Sequence, residues 1–150
     1  MDELDKRILR HLAADGRMSM NDLGEAIGLS ATPTARRVRT LETSGILLGY
    51  NANVDEAALG YTMTVFVSVK LDRQIDKALA TFEKEVSVFD EVVDCWLMTG
   101  NRDYLMRVVT TDLQDFERFL TERLTRIKGV ASIESSIPLR RVKGNQFRRP

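Results

Sequence analysis

Across residues 61–71 every second side chain is apolar: Tyr61, Met63, Val65, Val67, Val69 and Leu71 alternate with Thr62, Thr64, Ser68 and Lys70. A period of two puts one face of a β-strand in a core. The first 45 residues instead repeat their apolar side chains at helical spacing. In 150 residues such a switch of period divides the chain into a helical unit and a sheet-containing one, an α+β protein. Phe66 breaks the alternation, and an aromatic on the outer side implies that the second face of the sheet is also covered.

The rest of the second half continues the pattern. Ile75, Ala78, Leu79, Phe82 and Val86 share one helical face. Residues 88–98 read as a strand apolar on both sides, with Val92, Trp96 and Met98 opposite Val93, Cys95 and Leu97. Residues 104–109 form a third strand, joined to it by Thr99-Gly100-Asn101-Arg102-Asp103. Thr111-Asp-Leu-Gln114 starts a helix whose face carries Leu113, Phe116, Leu120, Leu124 and Ile127, closed by Gly129. The last strand runs over residues 130–139, and Pro138 places it at a sheet edge. The order βαββαβ predicts a ferredoxin-like antiparallel sheet with both helices on one face. Phe66, Trp96 and Met98 on the other face would be bare in a monomer, and a sheet from a second subunit is the simplest cover.

In the first half, Leu4, Ile8, Leu9 and Leu12 line one helix, ended by Gly16. Ser19-Met-Asn-Asp22 fits a capping box for a short helix with Met20, Leu23, Ala26 and Ile27 inward, and Gly28 turns the chain. Ser30 is placed to cap a third helix, Pro33 is tolerated in its first turn, and Gly45 stops it. At about 100° per residue, Ala31, Thr34, Ala35, Val38, Leu41 and Glu42 fall inward. Thr32, Pro33, Arg36, Arg37, Thr40 and Thr43 fall on or beside the outer face, which has no acid before Glu42. Short helix, tight turn and a longer basic, hydroxyl-rich helix make a helix-turn-helix, whose second helix enters the major groove; an ordinary surface helix with solvated arginines has the same periodicity. Residues 46–60, with Ile46, Leu47, Leu48, Tyr50 and Ala52, read as an extended wing and linker strand.

Charge and composition narrow the function. Lys+Arg and Asp+Glu balance at 22 each, 43% of residues are apolar and 29% charged, as in a soluble globular protein. No membrane span or signal peptide is visible, and the single Cys95 permits neither an intrachain disulfide nor a thiolate metal cluster. No metal, cofactor or catalytic residue is expected, and a cytoplasmic location follows. Residues 1–54 carry seven cations and seven anions, residues 55–137 ten and fifteen, and residues 138–150 five and none. A neutral helix-turn-helix cannot hold a phosphate backbone by bulk charge, so DNA affinity needs the local Arg36, Arg37, Arg39 cluster in more than one copy. The basic end, Arg140, Arg141, Lys143, Arg148 and Arg149, either adds phosphate contacts or is solvated charge. His11, the only histidine, borders an apolar stripe away from any nucleophile or carboxylate constellation, which speaks for a packing or surface role.

Four segments in order, LDKRILRHLAADGRMS, DLGEAIGLSATPTARRVRTLETSGIL, GYNANVDEAALGY and TGNRDYLMRV, resemble the Lrp/AsnC (leucine-responsive regulatory protein and asparagine regulator) family of bacterial and archaeal transcription factors along essentially the whole chain. The resemblance implies a winged helix-turn-helix at 1–45, a wing and linker at 46–60, a ferredoxin-like effector (RAM) domain at 61–142 and a basic tail at 143–150. It implies double-stranded DNA as partner, homodimers assembling further into octamers, and a small-molecule effector, commonly an amino acid. Carried onto this chain, the DNA-reading positions are Ser30, Thr32, Pro33, Arg36, Arg37, Arg39 and Thr40. The effector loop is Thr99, Gly100, Asn101, Arg102, Asp103 and Tyr104, where Gly100 lets backbone amides approach a carboxylate and Asp103 can accept from an ammonium. The other reading of this loop is a tight hairpin in which Gly100 and Asn101 supply turn geometry and Asp103 bonds the backbone. Many relatives carry an aromatic in place of Arg102; here the arginine either favours an acidic ligand or pairs with an acidic residue of a neighbouring subunit and leaves no site, with Ser132, Ser135 and Ser136 as further candidates for the cleft. Competing functions are a metabolite-sensing module without DNA binding and an enzyme resembling haem-pathway decarboxylases. The enzyme is disfavoured because the lone His11 lies in the first unit.

Overall fold

Two acids three residues apart start the chain's first helix. Asp2 accepts the Asp5 amide at 2.9 Å and Asp5 accepts the Asp2 amide at 2.9 Å, a reciprocal cap that satisfies two otherwise orphaned donors. The computed structural model describes residues 1–144 and divides into units over Met1–Asn53 and Val54–Arg141.

The first unit holds α1 (Glu3–Ala14), α2 (Met20–Ile27) and α3 (Ala31–Thr43). Ile8, Leu12, Leu23, Ile27, Val38 and Leu41 are buried together. Ser19 caps α2 by accepting the Asp22 amide at 3.1 Å, but the Asp22 carboxylate takes the Ser19 hydroxyl at 2.6 Å rather than the Ser19 amide, so only half the expected box forms. Gly28 ends α2 at φ +79°, a left-handed turn that glycine adopts without penalty. The inward face of α3 differs from expectation at Ala35 and Glu42, both exposed, while Thr34 is fully buried and donates to the Ser30 carbonyl at 2.9 Å.

Residues 46–60, expected as wing and linker strand, contain no strand. No strand among the described residues pairs with them, and Leu48 stands 93% exposed. Tyr50 folds back to donate to Glu42 at 3.0 Å. In the second unit Asp55 accepts the Ala57 amide at 3.0 Å and starts a single 3-10 turn over Ala57–Leu59.

That unit contains β1 (Met63–Leu71), α4 (Asp76–Val86), β2 (Val92–Leu97), β3 (Tyr104–Thr110), α5 (Leu113–Glu122) and β4 (Val130–Ser136). The sheet is antiparallel with order β2-β3-β1-β4, the ferredoxin-like arrangement that the order of elements predicts. The pairs Val65–Val108, Val67–Met106 and Val69–Tyr104 align buried side chains, which pack with Phe82, Val86, Phe116, Phe119, Leu124 and Ile127. Asp112 caps α5 by accepting the Asp115 amide at 2.8 Å. Three bounds fall short of expectation. The strand expected over 88–98 begins only at Val92, β4 ends at Ser136, and the helix expected to reach Ile127 gives way to a 3-10 turn at Leu124–Arg126. The strand apolar on both sides lies at the sheet edge: Trp96 is 46% exposed, as expected for a single chain, and Val93 and Leu97 on the other side are 41% and 59% exposed as well.

Gly24 shows how tightly the helix-turn-helix closes. A Cβ there would lie 2.6 Å from the Leu29 carbonyl oxygen and 3.1 Å from Thr34 Oγ1. Gly24→Ala is expected to cost about 1–3 kcal/mol by overpacking, read as a lower urea midpoint for the first unit.

Candidate nucleic-acid interface and effector loop

Helix α3 presents a defined outer surface. Thr32, Arg36, Arg39, Thr40 and Thr43 are exposed and fall within one arc of about 100° around the axis. Arg36 and Arg39 form no ion pair among the described residues. Thr40 and Thr43 donate back to the carbonyls of Arg36 and Thr40 at 3.0 and 3.2 Å, leaving their oxygens as acceptors outward. Pro33 is partly covered beside this arc.

Ser30 occupies the N-cap position but makes no capping bond. An N-cap side chain accepts from the second or third helical amide, and the third residue of α3 is Pro33, which has no N–H. The proline removes one of these two partners, the cap expected of Ser30 is not made, and its exposed hydroxyl stays available at the helix start.

Arg37 is turned away from this surface. Its Nη1 lies 2.8 Å from Asp2 Oδ2 and 2.7 Å from Asp5 Oδ1, so it joins α3 to the capped start of α1. The Asp5 amide, then Arg37, hold the Asp2 carboxyl below the usual carboxylate range. The spacing of Asp2 and Asp5 was the available signal for this bridge.

The loop between β2 and β3 divides in two. Thr99, Gly100 and Asn101 are exposed, and Gly100 has φ +105°. Arg102 is held within the chain, donating to Ser132 Oγ at 2.8 Å and pairing with Glu134 on β4. Glu134 was missed by sequence reasoning because nothing in the sequence sets the β1–β4 register. Ser132 thus joins the loop; Ser135 pairs with Val67, on the helix-covered side, and Ser136 pairs with Phe66.

Asp103 is 2% exposed. Its carboxylate accepts the Leu71 amide at 2.7 Å and the Gln74 side-chain amide, so both oxygens have partners inside the fold. The alternative in which Asp103 bonds the backbone is what the geometry displays, and no oxygen is left idle for an ammonium. Tyr104 is 1% exposed, stacks on Phe82 with centroids 4.4 Å apart and donates to Glu83 at 2.8 Å. Burial, then Glu83, push its hydroxyl well above the ordinary tyrosine value.

On the sheet face away from the helices, Arg107 of β3 pairs with Glu56 and with Asp94, each at 3.0 Å. The turn at Ala57–Leu59 is thereby tied to the sheet. Trp96 opposes Leu105, and Phe66 opposes Arg107, on the same face.

A family model described as AsnC-type helix-turn-helix domain matches residues 1–42, and one described as Lrp/AsnC ligand binding domain matches residues 64–146. The chain belongs to the Lrp/AsnC family. The Bkd operon transcriptional regulator of Pseudomonas aeruginosa is 48% identical over 142 residues, covering 95% of this chain and 93% of that one. The leucine-responsive regulatory protein of Rhizobium meliloti is 36% identical, covering 95% and 92%. Among solved structures, a transcriptional regulator from Neisseria meningitidis in complex with L-Met superposes with a TM-score of 0.92 at 31% identity, covering 96% of this chain and 93% of that one. An AsnC-family regulator from Agrobacterium tumefaciens gives 0.90 at 33% identity, covering 96% and 94%. Within this Lrp/AsnC protein, α2 and α3 are the helix-turn-helix and the four-stranded unit is the ligand-binding domain. No described helix is long and apolar enough to cross a membrane.

The support that Arg37 and the Asp5 amide give the Asp2 carboxylate depends on its ionisation. A lowered carboxyl pKa contributes stability that is complete above the unfolded value of about 3.9 and lost as pH falls through the folded one. The destabilisation caused by Arg37→Ala should therefore be present at neutral pH and shrink on acidification below that value, followed by thermal unfolding across pH. Asp103→Ala leaves the Leu71 amide buried without an acceptor and should cost about 1–3 kcal/mol. Asp103→Asn, whose carbonyl still accepts that amide, should recover part of the loss in the same urea titration.

Proposed function

We propose that this Lrp/AsnC regulator binds double-stranded DNA in the cytoplasm through α3, as a homo-oligomer whose ligand-binding domain responds to a small molecule. The observation that carries the DNA reading is the single arc of Thr32, Arg36, Arg39, Thr40 and Thr43 with two arginines free of ion pairs and no acid before Glu42. Arg36 and Arg39 read guanine O6 and N7 in the major groove. Ser30, Thr32 and Thr40 contact phosphates or base edges beside Pro33, while Arg37 sets the pitch of α3 against α1.

Assembly follows from the uncovered apolar surface. Trp96 and Met98, on the face away from the helices, are 46% and 42% exposed at β2 and its end, and a second copy covers them sheet to sheet. The resulting homodimer presents two recognition helices to half-sites about one helical turn, roughly 34 Å, apart, and octamers of such dimers multiply the contacts. The exposed loop residues Thr99, Gly100 and Asn101, with Arg102 beside them, receive the effector's carboxylate, whereas Asp103 and Tyr104 hold the loop's shape. The L-Met complex of the Neisseria relative supports an amino acid as the class of effector.

The test is an anisotropy titration against DNA upstream of the protein's own gene, at several salt concentrations, with and without a panel of amino acids. Removing Arg36 or Arg39 should cost about 1–3 kcal/mol, roughly 5- to 150-fold in affinity, where the side chain reads a guanine. A residue on phosphate should instead lower the salt slope by about one and weaken all sequences alike. Unchanged binding after both substitutions would sink the assignment of α3. Amino-acid binding without any saturable DNA complex would favour the sensing module.

A further inference from the structure

The ligand-binding domain has a second concave site, on its helix layer and away from the β2–β3 loop. A cavity of about 350 Å³ opens between the end of α4 and the segment that leads from α5 into β4, within the size range of small-molecule pockets. Its floor is apolar and rigid. Phe89 packs edge-on against Phe119 with centroids 6.0 Å apart, and Ile127 beside it is 6% exposed. Arg123 forms one wall: its guanidinium carbon stands 5.5 Å from the Phe89 ring centroid, and Nη1 is anchored by Glu91 at 3.2 Å.

The rim carries two uncompensated pairs of opposite sign. Arg126 and Lys128 flank the buried Ile127, and Glu85 and Glu122 lie on the helices. None of the four side chains makes an ion pair or hydrogen bond among the described residues. Glu85 sits in the last turn of α4 and Glu122 is the last residue of α5. There the helix dipoles present negative ends that disfavour an anion and favour a cation. Two carboxylates at two helix C-termini therefore make a place for an ammonium group. Arg126 and Lys128 make one for a carboxylate, and Phe89 with Ile127 accept an apolar body between them.

We infer that this cleft binds a zwitterionic α-amino acid with an apolar side chain, as a site separate from the loop at Thr99–Arg102. Its ammonium lies toward Glu85 and Glu122, its carboxylate toward Arg126 and Lys128, and its side chain on Phe89 and Ile127. Because every member of the cleft comes from one ligand-binding domain, the site is complete in a single chain.

Isothermal titration of the full-length protein with L-leucine and L-phenylalanine, each beside its N-acetyl and amide derivatives, tests this. The free amino acids should bind, and each blocked derivative should bind at least about tenfold more weakly, since each lacks one of the two charges. Arg126→Glu and Glu122→Lys lie on the surface and should each weaken binding by a similar factor, while Arg102→Ala in the loop leaves this event in place. Binding abolished by Arg102→Ala but indifferent to Arg126→Glu would assign the amino acid to the loop and overturn the second site, leaving the regulator reading intact. Equal affinity for the amide or N-acetyl form, or no binding up to about 10 mM, would overturn it as well.

Discussion

The carboxylate of Asp103 organises the larger unit. A charged group this deeply enclosed is tolerated only when hydrogen-bonded, and here it takes the amide of Leu71 at the end of β1 and the side chain of Gln74 on the way to α4. The backbone of the same residue donates to Val69 and accepts from Met98. One residue thus binds the end of β1, the end of β2 and the approach to α4. The neighbours inherit their directions from it: Tyr104 goes inward onto Phe82, and Arg102 goes to Ser132 and Glu134. Thr99, Gly100 and Asn101 remain the exposed part of a loop whose base is fixed, a suitable frame for a ligand contact that must be reproducible in geometry.

Much of this was legible in the sequence because burial writes a period. The alternation over β1 predicted which face enters the core, and the helical spacing of Leu4, Ile8 and Leu12 predicted α1. Turn chemistry at Gly28 was equally readable, being local, whereas the cap of α5 falls on Asp112, one residue beyond the start that the Thr111–Gln114 spacing suggests. The contributions of partners distant in sequence were not. Arg37 lies on the outer side of α3 by angle, yet Asp2 and Asp5 draw it to α1, and only tertiary packing brings residues 32 positions apart together. Edge placement of β2 depends on strand order, which periodicity does not carry, so a strand that reads as apolar on both sides leaves Leu97 59% exposed. Residues 46–60 have strand-like composition but no strand to pair with among the described residues, and a lone extended segment gains nothing from its ladder groups.

The missing cap at Ser30 illustrates how a local rule fails for a local reason. Serine before a helix, with proline three residues on, satisfies each preference singly, since serine favours the N-cap and proline is accepted in the first turn. Together they conflict in part, because the proline removes one of the two amides that the serine could bond. The outcome is a hydroxyl left unsatisfied by its own helix at the end where the macrodipole is positive. In an element that meets phosphates, this arrangement leaves both hydroxyl and dipole for an external anion.

The neutrality of the first unit then ceases to argue against nucleic acid. Its acids are concentrated where they do structural work: Asp2, Glu3 and Asp5 occupy the first turn of α1, complement its dipole, and take Lys6 and Arg37 as partners. Those pairings neutralise charge at α1 and leave Arg36 and Arg39 uncompensated on α3. A unit of zero net charge can therefore present a cationic face, because potential at a surface depends on where the opposite charges are fixed, and a Debye length near 10 Å at about 0.1 M salt screens acids farther away. Such a face offers few phosphate contacts per copy, so the salt-dependent part of its affinity is small for one chain and grows with each added copy. Under the proposed assembly, the apolar surface at Trp96 and Met98, which a second copy would cover, is the counterpart of the sparse charge on α3, because contacts that are few per chain add up over several copies.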